Sequence, residues 1–137
     1  MVRGYDLQET ADWLQSRVPR IERPRLNGFL ERFLFVWIHS NHSAVKAIRE
    51  TNGTLIAYEE LLADPEGVRG KLKRGLERDL AAVPPLRPPR SIVVSDKVAR
   101  NAARAVERLK LQERFEAVCA AVESVTGQDY LDTRTLR

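Results

Sequence analysis

The sequence holds one cysteine and two histidines in 137 residues, and each scarcity closes off a class of chemistry. Cys119 alone cannot form an internal disulfide, which excludes a disulfide-stapled scaffold and predicts a reducing, cytoplasmic compartment. It falls among alanines and valines on a helical pattern, where a thiol is buried and inert. His39 and His42 stand three apart and could share a metal ion. No cysteine or carboxylate completes the three or four ligands such a site needs, so no metal is expected. There is no Gly-rich phosphate cradle and no serine in a nucleophile-elbow context. The densest apolar run, residues 29–38, is broken by Glu31 and Arg32 and falls well short of the ~20 residues of a membrane span. No apolar stretch of the signal-peptide kind opens the chain, and no membrane partner is expected. Nothing builds a self-contained active site.

What is present is enough apolar sequence (43%) for one core and a localised positive charge. Residues 1–60 carry eight basic and eight acidic side chains, and residues 101–137 carry six of each. The whole excess of +4 therefore lies in residues 61–100, with nine basic against five acidic groups. Its carriers are Arg69, Lys71, Lys73, Arg74, Arg78, Arg87, Arg90, Lys97 and Arg100. Such a stretch favours anionic partners: phosphate, nucleotide or nucleic acid. It contains no Phe, Tyr or Trp, so it has no stacking platform for single-stranded bases.

The periodicities predict a mainly helical chain with one strand. Asp6 caps a first helix with Leu7, Ala11, Leu14 and Val18 on one face, and Pro19 ends it. A second helix is expected from about Asn27 to Thr51, stopped by Asn52-Gly53 in a left-handed turn. Its first half is apolar nearly all round, which predicts burial on more than one side. Residues 54–58 (Thr-Leu-Ile-Ala-Tyr) form the one clear β-strand candidate, with residues 91–94 as a weak partner. Asp64-Pro65 opens a helix whose Val68, Leu72, Leu76 and Leu80 make a narrow apolar stripe. Residues 81–90, with four prolines, read as an extended loop. Ser95 then caps a helical region that runs, with a break, to Gly127. All of this is read as one domain, residues 1–137.

Within that order, Tyr58-Glu-Glu-Leu-Leu-Ala-Asp-Pro65 stands out. A strand that ends in Tyr-Glu-Glu-Leu and leads into an Asp-Pro helix resembles the sulfotransferase family. The preceding aromatic helix with Trp37 resembles it too, and the match covers about residues 27–76. The resemblance implies the C-terminal part of a P-loop-like α/β sulfotransferase fold. It also implies 3'-phosphoadenylyl sulfate as cofactor and transfer of its sulfuryl group to a hydroxyl or amine. On the matching positions Tyr58 would lie beside the adenine, and Arg90, Ser91 and Lys97 would be late nucleotide contacts.

The family's 5'-phosphosulfate loop has no counterpart before Tyr58, so the group that stabilises charge on the transferring sulfuryl is missing. The expectation is a sulfotransferase-like protein that is truncated or completed by another chain or a second copy, with catalysis by this chain alone improbable. The alternatives are a small basic helical module that binds nucleic acid or another polyanion, and a protein-interaction subunit.

Overall fold

The structure, a computed structural model, describes residues 6–81 and 95–126. Helix α1 (Leu7–Arg17) begins where the Asp6 carboxylate accepts from the backbone N–H groups of Gln8 (2.8 Å) and Glu9 (3.1 Å). It stops at Val18, held extended before Pro19. A single 3-10 turn (Arg20–Glu22) then leads to the longest helix, α2 (Gly28–Thr51). Asn27 supplies no side-chain cap; instead the Glu31 carboxylate reaches back to accept from its backbone N–H. Asn52 ends α2 in the left-handed region (φ 54°), and the Gly53 N–H bonds back to the Ile48 carbonyl.

Residues 53–57 then run without regular structure into two short helices, α3 (Tyr58–Ala63) and α4 (Pro65–Leu76). Asp64 caps α4 through a 2.9 Å bond from the Gly67 N–H. Helix α5 (Asp96–Arg108) begins at the Ser95 hydroxyl cap, and α6 (Gln112–Thr126) follows after a tight corner. At that corner Lys110 takes a left-handed conformation (φ 56°) between the buried Leu109 and Leu111.

Helix α2 is the axis of the fold. Helices α1, α5 and α6 all pack on it, α5 and α6 pack on each other, and α3 packs on α4. Phe35 and Ile38 of α2 meet Val106, Leu109 and Leu111 in the core. Leu14 and Val18 of α1, Leu26, and Phe115 of α6 close around that cluster. Phe35 and Ile38 are wholly removed from solvent, each burial contributing roughly 1.5–3 kcal/mol. No helix among the described residues is long and apolar enough to cross a membrane.

One expectation is corrected. The fold is not α/β: the described residues hold no β-strand, and the candidate strand at residues 54–58 is non-regular up to Ala57, with Tyr58 already helical. The β-prone Thr-Leu-Ile-Ala segment finds no neighbouring strand to satisfy its backbone groups. The strong helix formers Glu59 to Ala63 follow at once and take Tyr58 into their own first turn. The weak partner expected at residues 91–94 lies outside the described residues. The first half of α2 is buried on more than one side, as expected, by α1, α5 and α6, but not all round. Phe35, Val36 and Ile38 face the core, but Phe29 and Phe33 remain 72% and 45% exposed, their rings stacked on each other.

Candidate functional site

The cations of α4 are largely neutralised at home. Arg69 pairs with Glu66 (2.7 Å) and donates to the Leu80 carbonyl, Lys71 pairs with Glu60 of α3, and Lys73 pairs with Asp79 (2.5 Å). Arg74 and Arg78 line an open groove at the C-terminal end of α4 together with Glu77 and Asp79, so that groove carries both signs.

Helix α5 differs. Lys97, Arg100, Arg104 and Arg108 recur at spacings of three, four and four, which places them in one row along the helix. Arg108 is committed: its guanidinium holds the Glu31 carboxylate, with Nε donating to Oε1 at 2.6 Å, and also donates to the Arg25 carbonyl. That pairing keeps the Glu31 carboxyl below the usual carboxylate range and ties α5 to the start of α2. Lys97, Arg100 and Arg104 are exposed and make no ion pair among the described residues. The row stays in place because the opposite face of α5 is anchored by Ala105 and Val106 in the core. From Lys97 to Arg104 it spans roughly 10 Å along the axis.

Of the residues implied by the sulfotransferase resemblance, Tyr58 and Lys97 are described, and Arg90 and Ser91 lie outside the described residues. Tyr58 opens α3 with its ring 54% exposed. Lys97 sits in the first turn of α5 and begins the cationic row. No bond or ion pair links the two among the described residues.

A second feature is a cleft of about 380 Å³ between the 3-10 turn, α2 and the α5–α6 corner. Its polar lining includes Glu22, Arg23, His39, Lys110, Glu113 and Arg114. His39 is buried (6% exposed) against the Phe35 ring, whose centroid lies 4.4 Å away. The Arg114 guanidinium donates to His39 Nδ1 at 2.8 Å and to Glu22 Oε2 at 3.1 Å. Burial first and the Arg114 charge second push the His39 pKa down to about 4, so the ring is neutral at pH 7. His42 is lowered for the same two reasons. This burial of His39 is not among the expectations drawn from the sequence. Its position four residues after Phe35 and one after Ile38, on the buried face of α2, is the signal that would have found it.

No group of three or more His, Cys, Asp or Glu able to hold a metal occurs among the described residues. Burial raises the Cys119 thiol to about 11, which removes it as a nucleophile at neutral pH. Comparison with protein families, with curated proteins and with solved structures finds no match to this chain. The sulfotransferase resemblance therefore rests on the residues of the 58–65 motif and its flanks.

Proposed function

We propose that the chain is a small helical module that binds the phosphodiester backbone of nucleic acid through the exposed face of α5. The observation that carries this reading is the row Lys97, Arg100 and Arg104, three cations on one rigid face with no carboxylate partner among the described residues. Arg69, Lys71 and Lys73 of α4 and Arg108 of α5 are spent on internal ion pairs; these three are held out to solvent instead. Between Leu80 and Ser95 the sequence adds Arg87 and Arg90 and no acidic residue, so the segment entering α5 reinforces the same sign. The row has no aromatic neighbour in the helix to stack on bases, which makes the interaction one of charge and not of sequence. A reduced Cys119 and a cytoplasmic setting suit such a module.

The test is fluorescence anisotropy with a labelled 20-base-pair duplex between 50 and 200 mM salt. Release of counterions from three phosphates predicts a slope of log K against log salt near −2.7, taken as roughly −0.9 per contact. Combined Lys97→Ala, Arg100→Ala and Arg104→Ala substitution is expected to abolish binding. A flat salt response, or unchanged binding by the triple variant, ends the proposal.

One observation favours a second reading. An exposed Tyr58 leads into a side-chain-capped Asp-Pro helix, as the sulfotransferase resemblance implies, while the strand it also implies is replaced by non-regular backbone at residues 53–57. On that reading the chain is a helical portion of a sulfuryl-transfer enzyme, and the residues that hold the 5'-phosphosulfate come from another chain. Calorimetric binding of adenosine 3',5'-bisphosphate that weakens in Tyr58→Ala is the expected result, and absence of heat removes autonomous nucleotide binding.

A further inference from the structure

The cleft beside His39 contains a donor that the protein leaves without an acceptor. A neutral imidazole has one acceptor nitrogen and one N–H donor. Arg114 is a donor only, so whichever tautomer the ring takes, it can satisfy the nitrogen that accepts and can do nothing for the nitrogen that carries the N–H. Its Nη1 lies 2.8 Å from Nδ1 and 3.3 Å from Nε2, so one of the two approaches is a meeting of donors. Among the described residues, no other side chain or carbonyl accepts from the ring, although His39 is more than nine-tenths buried. Buried polar groups in native structures are paired as a rule, so an N–H kept without a partner is one that an incoming acceptor can satisfy.

The surrounding charge defines that acceptor. Arg114 and Arg108 are occupied by Glu22 and Glu31. Two cations remain without a carboxylate. Lys110 makes no ion pair among the described residues, and its left-handed backbone sets it at the corner over the cleft. Arg23 spends its Nε and one terminal nitrogen on the Val18 and Ser16 carbonyls and so keeps its full charge. Against these two stands one unpaired carboxylate, Glu113. The rest of the lining is apolar: Ile21, Pro24, Leu109 and Leu111.

We infer that this cleft is a binding site for a small organic carboxylate. Its anionic end accepts from the His39 N–H and pairs with Lys110 and Arg23, and its apolar body lies on Leu109, Leu111 and Pro24. The site is separate from the α5 row and does not depend on it.

The experiment uses the intact chain with benzoate as probe and chloride as control at constant ionic strength and pH 7. The ring nitrogens of His39 are followed by NMR, with the signals assigned through His39→Gln. Benzoate is expected to shift the His39 ring signals saturably. Lys110→Asn, chosen because asparagine tolerates the left-handed backbone, is expected to weaken binding by about tenfold or more, the usual scale for a lost charge-assisted bond. Lys110→Glu is expected to eliminate it. The α5 triple variant is expected to bind benzoate as the parent does. Identical shifts with chloride, undiminished binding in both Lys110 variants, or loss of binding in the α5 variant would overturn the assignment. So would the absence of any benzoate shift, which leaves the N–H to water.

Discussion

Acidification should unfold this protein by charging one histidine. Burial first and Arg114 second hold the folded-state pKa of His39 near 4, against 6.5 for a free imidazole. The unfolded chain therefore binds a proton between pH 6.5 and 4 that the folded chain refuses. The sign follows: stability attributable to His39 is complete above pH 6.5 and is lost as pH falls toward 4. Between pH 7 and pH 5 the expected loss is about 2 kcal/mol, from linkage with those two pKa values. His42, lowered in the same direction, adds to the slope, and Glu31, lowered by Arg108, acts mainly at more acid pH.

Urea denaturation followed through Trp13 and Trp37 fluorescence at half-unit steps from pH 7.5 to 4.5 measures this directly. His39→Gln keeps an oxygen that can accept from Arg114 but cannot titrate, so it should remove most of the decline. A parent protein equally stable at pH 7 and pH 5, or a variant with the parent's slope, would show that the Phe35–His39–Arg114 contact does not exist in solution.

Two further outcomes are expected. Cys119, with its thiol raised to about 11, should react with a disulfide reagent at pH 8 only after denaturant is added, and equal rates in native and unfolded protein would refute its burial. Gly67→Ala should destabilise α4 although alanine is the better helix former, because an added Cβ would meet Asp64 Oδ2 at 2.1 Å and displace the cap. Loss of that cap costs about 1 kcal/mol, readable as reduced helical circular dichroism and a lower urea midpoint.

The parts of the fold legible in the sequence are those that local chemistry fixes. Asp6, Asn52-Gly53, Asp64-Pro65 and Ser95 each do at a helix end what their side chains predict, because a cap needs only its own first or last turn. The strand at residues 54–58 misleads for the opposite reason. β-branched and aromatic residues express their preference only when a neighbouring strand takes up the backbone groups, and the described residues provide none. The solvent side of α2 was hidden as well. A helix apolar around most of its circumference says that it is central, but the positions of α1, α5 and α6 decide which aromatics remain outside, and these are contacts between distant parts of the chain.

The two candidate surfaces were hidden to different degrees. Lys97 and Arg100 were visible as charge, yet counting by segment set Arg104 in a neutral block and lost the row. The spacing of three and four along one capped helix was in the sequence throughout, and it separates these cations from the α4 ones only once the α4 partners, Glu60, Glu66 and Asp79, are placed. The His39 cleft was further out of reach, since Arg114 stands 75 residues away and Glu22 lies on another element. What the sequence does carry is a constraint: a histidine in phase with Phe35 and Ile38 must be buried, and a buried histidine must have both ring nitrogens answered. Arg114 answers one. The unanswered nitrogen, and not the count of positive charges, is what makes the cleft more than a gap between helices.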